Sequence, residues 1–388
     1  MDKERDLKIR EILSDNNVGA VLLWRPDEMV LSTGHLPLWG VSACLYPSMG
    51  NPIIYVPELE PEDILPKDFT IKRFPWGRLD CTNPWGVLYQ SIKEDLELLH
   101  ADTISFIPHS CRSILPQISA ETAPIPLDFT DNLKQLSKRG YKDITNDILK
   151  LYSVKTPIEC EKIRKSNQIA YSGIKAFYEN LQVGKSEVEI ACAVEAAVQL
   201  QIGKSDIKYA KAWPYIMSGT NSSFAGMYCR NTDRTLKEGE LVLIEMAVCV
   251  DGYWCDITRT GSVGNIAPKQ QEIFETVKSA HNLSIDSIRP GKKAGDIDKI
   301  AREYIDRKGF GQYFQHALGH HVGFRYHDPG LGFQPDSNLI LEEGMILSVE
   351  PGIYIQDLNS GVRIEDNVLV TNDGAEILSD YSMELTGL

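Results

Sequence analysis

Basic residues, paired cysteines and long apolar runs are all scarce in this chain of 388 residues, and each scarcity closes off a class of function. Forty Lys and Arg stand against 54 Asp and Glu, a net charge of −14. A surface of that sign repels a phosphate backbone, so no nucleic-acid partner is expected. No apolar stretch approaches the roughly 20 residues that cross a bilayer, so no membrane partner is expected either. The opening "MDKERDLKIREIL" is charged and lacks the apolar centre of a signal peptide. The eight cysteines (44, 81, 111, 160, 192, 229, 249 and 255) include no CxxC pair. They read as reduced thiols of a cytoplasmic protein, with Cys249 and Cys255 as small apolar packing groups. The first 150 residues carry no glycine-rich phosphate fingerprint, and no histidine occurs between positions 110 and 280.

What remains is an ordinary globular balance, 43% hydrophobic and 24% charged, in a chain long enough for two domains. Up to about residue 150, helix and strand patterns alternate. "DLKIREILSDNN" and "SIKEDLELLHA" read as helices; "GAVLLW", "NPIIYVP" and "TISFIP" read as strands, the signature of an α/β unit. Trp24, Trp39, Trp76 and Trp85 are assigned to its core. Thr156-Pro157 has the form of an N-cap followed by proline in the first helical turn. From there helices lead to strands over Ala212–Val263, helices return, and strands are expected from about Gly319 to the end.

That order contains a repeat. "LKEGELVLIE" (236–245) matches "LEEGMILSVE" (341–350), and upstream "VGKSEVEIACAV" (183–194) matches "PGKKAGDIDKIA" (290–301). Gly184 to Gly291 is 107 residues and Gly239 to Gly344 is 105, so two matches share nearly one offset. The chain therefore reads as a duplicated unit of two helices and a β-hairpin. In the first hairpin, a two-residue turn at Asp251-Gly252 sets Glu245 opposite Thr258 and Asp256 opposite Ala247. Glu245 and Asp256 then become diagonal neighbours on one face, roughly 7–8 Å apart. The second hairpin offers Glu350 and Glu365. Four carboxylates on mostly apolar strands are costly without cations, and two divalent ions would balance them. Arg259 and Arg363 could offset part of the charge. "QHALGHHVGFRYHDPG" (315–330) adds His316, His320, His321 and His327. Imidazole with several carboxylates suits Mn, Zn, Co or Fe, and the carboxylate-rich set leans to Mn. Such a pair of ions is a hydrolytic centre.

"LVLIEMAVCVDGYWCDITRT", "HALGHHVGFRYHDPG", "GMILSVEPGIYI" and "GVRIEDNVLVT" resemble, in order, the metal-site segments of the pita-bread family. This family includes aminopeptidase P, prolidase, methionine aminopeptidase and creatinase. The resemblance implies an α+β protein: an N-terminal creatinase-like α/β domain (1–148) and a C-terminal pita-bread domain (149–388) built of duplicated helix-helix-hairpin halves. It implies metal ligation by Glu245, Asp256, His320, Glu350 and Glu365, with Asp256 and Glu365 bridging two ions. It makes Glu350 the proton shuttle, His327 a substrate contact, His316 a pocket wall and Arg363 a support for the carboxylates. The implied function is a metal-dependent hydrolase of the Xaa-Pro aminopeptidase or prolidase type, cutting an amide bond in a small peptide. A homodimer is also implied, with "STGHLPLWG" (32–40) as a candidate contact.

Two departures keep alternatives open. Glu245 stands where the family has Asp, which sets its carboxylate further from the strand. "SGTNSSFAGMYCRNTDR" (218–234) has Gly226 or Met227 where the peptidases carry a histidine. The runner-up is a non-peptidase C–N hydrolase or lyase of the creatinase or ectoine-hydrolase type, acting on a small charged molecule and able to work without metal. A third reading is a binding protein that kept the fold and lost catalysis.

Overall fold

The computed structural model describes residues 1–76, 80–107, 113–114 and 123–386. The chain divides into two compact units, Met1–Leu151 and Tyr152–Leu388. Pro108 of the "TISFIP" segment and Cys111 lie outside the described residues.

The first unit runs α1 (Lys3–Asp15), β1 (Ala20–Leu23), α2 (Pro26–Thr33), β2 (Ala43–Pro47), β3 (Ile53–Pro57), β4 (Thr70–Phe74), α3 (Pro84–Leu98), β5 (Ile104–Ser105), β6 (Ser113–Ile114), β7 (Ala123–Pro124) and α4 (Leu127–Gln135). α5 (Thr145–Ser153) closes it. Five strands form one mixed sheet in the order β4-β3-β2-β1-β5, and β6 pairs with β7. α2 and β4 were not legible in the sequence: α2 carries six buried residues in eight, which erases an amphipathic pattern, and β4 buries only Phe74. Trp24 is buried in the core, and Trp76 and Trp85 pack against it. Trp39 departs from expectation at 39% exposure. Its backbone N–H donates to Glu60 at 2.8 Å, which ties down the main chain and leaves the ring outside.

The second unit opens with α6 (Pro157–Glu179), where Thr156 and Glu159 form a capping box and Pro157 fills the first turn. Such a cap contributes about 1 kcal/mol by satisfying amides with no helical partner. α7 (Glu187–Gln199), β8 (Ala210–Ser218), β9 (Leu241–Val250) and β10 (Tyr253–Ser262) complete the first half. α8 (Pro268–Ile285), α9 (Ala294–Arg307), β11 (Ile346–Val349), β12 (Gly352–Ile355), β13 (Ser360–Arg363), β14 (Asp366–Val370) and β15 (Ala375–Ile377) make the second. Each half has its own apolar cluster, one around Phe177, Val194 and Ile244 and the other around Phe274, Ile297 and Leu347. Every residue of β9 and β10 is buried, so both faces of this hairpin are covered.

The duplication is visible in the backbone. Gly184 N–H donates to Leu236 O, and Gly291 N–H to Leu341 O. Ser186 bridges Thr235, and Lys293 bridges Ile340. Gly184, Gly239, Gly291 and Gly344 all have φ between 80° and 88°. Only glycine adopts that conformation without steric cost, which is why these four positions survive in both copies. One expectation needs correction: residues 319–345 form isolated bridges and turns, and strand structure resumes only at Ile346. The four glycines between 319 and 332 break up any ladder there.

Candidate metal centre

The first hairpin has the register its turn demands. Asp251 (φ 49°) and Gly252 (φ 95°) both take positive φ, as a two-residue hairpin turn matched to strand twist requires. Glu245 therefore opposes Thr258, and Asp256 opposes Ala247. The second hairpin is interrupted. Val349 pairs with Asp366 and Gly352 with Arg363, both summing to 715, so Glu350 and Glu365 stand opposite each other at the break between the two ladders. Pro351 has no N–H to give a ladder, and the break turns both carboxylates toward the first hairpin.

Long-range hydrogen bonds lock the two hairpins together. Glu365 N–H donates to Thr258 O at 3.0 Å. Asn367 clamps the backbone of Asp256 from both sides, accepting its N–H at 3.0 Å and donating to its carbonyl at 2.8 Å. Fully buried Arg259 donates to the carbonyls of Thr258 and Glu365 at 3.0 and 2.6 Å and to Asp366 at 2.6 Å. His281 Nε2 lies 3.1 Å from the other Asp366 oxygen. On the opposite side, Glu350 N–H reaches Leu318 O at 2.7 Å, and Ser348 Oγ accepts the His320 N–H at 3.1 Å, which sets the histidine segment beside the acids.

The result is one cluster. Glu245, Asp256 and Glu365 offer oxygens within 4.8 Å of one another, and so do the ligand atoms of His320, Glu350 and Glu365. His320 Nε2 lies 3.4 Å from Asp256 Oδ2 and 3.5 Å from Glu350 Oε1. Its Nδ1 lies 3.0 Å from the carbonyl of His321, an acceptor only, so Nδ1 carries the proton and Nε2 turns a lone pair on the carboxylates. Arg363 donates to Glu245 Oε2 through Nη2 at 2.6 Å and Nε at 3.2 Å, and the Thr258 hydroxyl bonds both Glu245 and Glu365. Arg363 Nη1 also donates to the Tyr354 hydroxyl at 2.7 Å, which in turn lies 2.8 Å from His316 Nε2. With His316 Nδ1 donating to Ala317 O at 2.8 Å, this histidine is neutral and its tautomer is set.

The electrostatics follow. Burial, then the neighbouring carboxylates, hold Asp256 and Glu365 well above the usual carboxylate range. Burial pushes Glu350 up to about 8. Burial also pushes Glu245 upward, but Arg363 and Thr258 outweigh it and keep the carboxyl below its ordinary value. Burial brings His320 down to about 3 and His316 to about 4, so both are neutral at pH 7. Four carboxylates meet one guanidinium. Asp256 Oδ1 and Glu365 Oε1 are buried without a hydrogen-bond partner, and a neutral imidazole aims its lone pair among them. Unpaired oxygens and a lone pair converging on one point form a donor set for cations, so these residues fit divalent ions.

The cluster faces a cavity of about 400 Å³ whose wall includes His316, His327, Tyr326 and Gln334. Ala225 and Gly226 close one side and also line an adjoining cavity of about 310 Å³. A Cβ added at Gly226 would meet nothing within 4 Å, so a side chain has room to start at the place of the missing histidine. All eight site residues assigned from the sequence thus lie in or against one cavity or its floor. The supporting roles of Thr258, Asn367, Tyr354 and Asp366 were missed, and Arg259, expected to offset the charge of the four carboxylates, is instead paired with Asp366. Asn367 stands two residues from Glu365, but nothing local indicates that it holds Asp256, 111 residues away.

Comparison with known proteins gives a consistent picture. The profile described as metallopeptidase family M24 matches residues 161–372. The chain is 31% identical over 384 residues to the Xaa-Pro dipeptidase of Pyrococcus furiosus, covering 99% of each protein. It resembles the crystal structure of the prolidase from Pyrococcus horikoshii OT3 with a TM-score of 0.79 and 28% identity, over 98% of this chain and 99% of that one. The prolidase from Pyrococcus furiosus gives a TM-score of 0.74 at 30% identity, over 96% and 99%.

Proposed function

Because the chain belongs to metallopeptidase family M24, we propose that it is a metal-dependent Xaa-Pro peptidase, hydrolysing the amide bond before proline in a small peptide. The observation that carries this reading is the convergence of Glu245, Asp256, His320, Glu350 and Glu365 around oxygens that no protein group satisfies. Asp256 and Glu365, each shared between two of the ligand groupings, would help to hold divalent cations together with Glu245, His320 and Glu350. The oxygen-rich set favours Mn over Zn. When bound, such cations supply Lewis-acid charge to the scissile carbonyl.

The chain's own residues supply the rest. Glu350 lines the cavity, and in the presence of the cations its carboxylate takes a proton from water and delivers it to the leaving nitrogen. His327 is half exposed at the cavity and donates to the substrate carbonyl oxygen. His316, held neutral by its two partners, forms an uncharged wall. Arg363 fixes the carboxylate of Glu245, and Tyr354 keeps the guanidinium oriented. Burial of the acids excludes water from their far side. The seven cysteines among the described residues are all free, which supports a reducing, cytoplasmic location, and exposed Trp39 in the segment 32–40 supports a homodimer.

The test is hydrolysis of an Xaa-Pro dipeptide panel by protein loaded with Mn²⁺, together with elemental analysis. Two equivalents of metal and cleavage before proline are expected, and Asp256→Ala should lose both. Activity that survives exhaustive chelation, or in Asp256→Ala, would refute the reading. Light scattering at twice the monomer mass is expected for the dimer.

A further inference from the structure

The second cavity, beside the one that holds the acids, has no part in the chemistry described so far. It encloses about 310 Å³ and shares Ala225 and Gly226 with its neighbour. Phe224, Met227 and Tyr354 give it an apolar and aromatic wall, Gln315 and Gln356 add two primary amides, and none of the described residues lining it is charged. The first cavity is the reverse. Glu245 and Glu350 stand in its wall, and the guanidinium there, Arg363, is already bound to Glu245 and Tyr354. Packing holds the second wall in place. Met217 and Leu243, paired across β8 and β9, form a buried cluster with Tyr354, and Ala225 and Met227 pack against it. Ser222 Oγ accepts the Gly361 N–H at 3.0 Å, which pins the segment leading to Phe224 onto β13. Phe224 is nonetheless 42% exposed. A large apolar ring left open on the wall of a concave site is available to a ligand.

We infer that this second cavity is a subsite for the substrate residue that follows proline, selective for a bulky uncharged side chain, with Phe224 and Met227 as its specificity-determining residues. The charge distribution sets the direction. A peptide's ammonium end is drawn to the carboxylates of the first cavity, so its C-terminal part extends toward the uncharged wall. Gln315 and Gln356 each offer an amide donor and acceptor, which complements the N–H and C=O of a further peptide unit. Phe224, Met227 and Tyr354 complement an apolar side chain on that unit. An Asp or Glu side chain, or the terminal carboxylate of a dipeptide, loses its water there and meets no cation in return. Contacts to this remote residue add to the binding energy that drives turnover. Peptides of the form Xaa-Pro-Yaa with Yaa Leu, Met or Phe are therefore cut faster than those with Yaa Asp or Glu, and faster than Xaa-Pro itself. The inference rests on the peptidase reading and adds a substrate length and a side-chain preference to it.

The experiment compares Ala-Pro-Leu, Ala-Pro-Glu and Ala-Pro as substrates of the full-length, Mn²⁺-loaded protein. It also measures by calorimetry the binding of uncleavable analogues of the two tripeptides, in which the carbonyl before proline is replaced by a methylene. In the wild type, kcat/KM for Ala-Pro-Leu should exceed that for Ala-Pro-Glu and for Ala-Pro by about 10–100-fold, the range of side-chain discrimination in a pocket, and the Leu analogue should bind more tightly than the Glu analogue. Met227→Lys supplies the cation that the wall lacks, so it should lower the Leu-to-Glu ratio about tenfold or more in both measurements. Phe224→Lys, at an exposed position, should act in the same direction and keeps the test open if the Met227 variant does not fold. Equal kcat/KM and equal binding for Leu and Glu in the wild type, or a ratio that neither variant moves, would overturn the inference. Failure of the peptidase reading would show differently, as no cleavage of any of the three peptides while the Leu analogue still binds more tightly than the Glu analogue.

Discussion

Lys155→Met should destabilise the second unit severely and in a pH-dependent way. Lys155 Nζ sits 3.0 Å from Asp328 Oδ2, and both side chains are fully buried. Lys155 also donates to Tyr152 O at 2.7 Å. Asp328 accepts the N–H groups of Phe324 and Arg325 at 3.3 and 2.8 Å and so shapes the segment that presents His327. Methionine fills most of the lysine volume but leaves a buried carboxylate without its cation, at a cost of about 3–5 kcal/mol. For a unit of this size, 1 kcal/mol shifts the unfolding temperature by about 2–4 °C, so a drop of about 6–20 °C follows. Burial already holds the Asp328 carboxyl above its usual range despite Lys155, and losing the lysine raises it further. A carboxylate with a raised folded pKa supports the fold at low pH and loses that support as pH rises. The deficit should therefore be largest at pH 8 and shrink toward pH 5. Asp328→Asn keeps an acceptor for the Arg325 N–H, gives up the longer bond from Phe324 and removes the charge, so the double variant should recover part of the loss. Calorimetry of wild type and both variants at pH 5 and 8, at one fixed Mn²⁺ concentration, provides the measurement. A single variant within about 1 kcal/mol of wild type at pH 8, or a double variant no better than the single, would refute the reasoning.

Three further outcomes are expected. The metal-free protein should gain stability as pH falls from 8.5 to 7, above the range where the buried neutral His316 and His320 would oppose it, because Glu350, Asp256 and Glu365 are all raised by burial. The slope is about 1.4 kcal/mol per pH unit for each proton taken up; saturating Mn²⁺ should reverse its sign in thermal melts, and a flat metal-free profile would contradict the charge assignment. Asn367→Ala removes both bonds to the Asp256 backbone, so stability should fall by about 2–4 kcal/mol and metal affinity by about 10–100-fold in chelator competition. Gly226→His starts where a Cβ meets nothing within 4 Å, at a glycine without positive φ, so melting should change by less than about 0.5 kcal/mol. Xaa-Pro turnover should rise by up to about 100-fold, the low end for one positioned donor, and no gain would mean that the departure at this place is not limiting.

Several features were legible before any coordinates. Asp251-Gly252 dictates a two-residue turn, and the turn alone places Glu245 opposite Thr258. The paired glycines of the repeat mark positive-φ positions that both halves need. Glu245 is a more instructive case. The sequence shows that it departs from the family's Asp; the structure shows that its longer side chain is taken up by Arg363 and Thr258 while it keeps its place in the cluster. Trp39 marks the opposite failure, since aromatic character suggests a core and cannot report that Glu60 holds only its backbone.

By itself the sequence determined the duplicated halves, the hairpin register, the four carboxylates and the histidine segment, because turn chemistry and side-chain periodicity act over a few residues and repeat wherever the same string recurs. Only the tertiary structure decided which oxygens stay unpaired, which nitrogen of His320 carries its proton, and that Asn367 grips Asp256. Those outcomes depend on partners such as His321 O and Asp256 O, which come to their places only once both hairpins are docked. A backbone carbonyl has the same chemistry at every position, so its choice of partner is written in distance and angle and not in residue type.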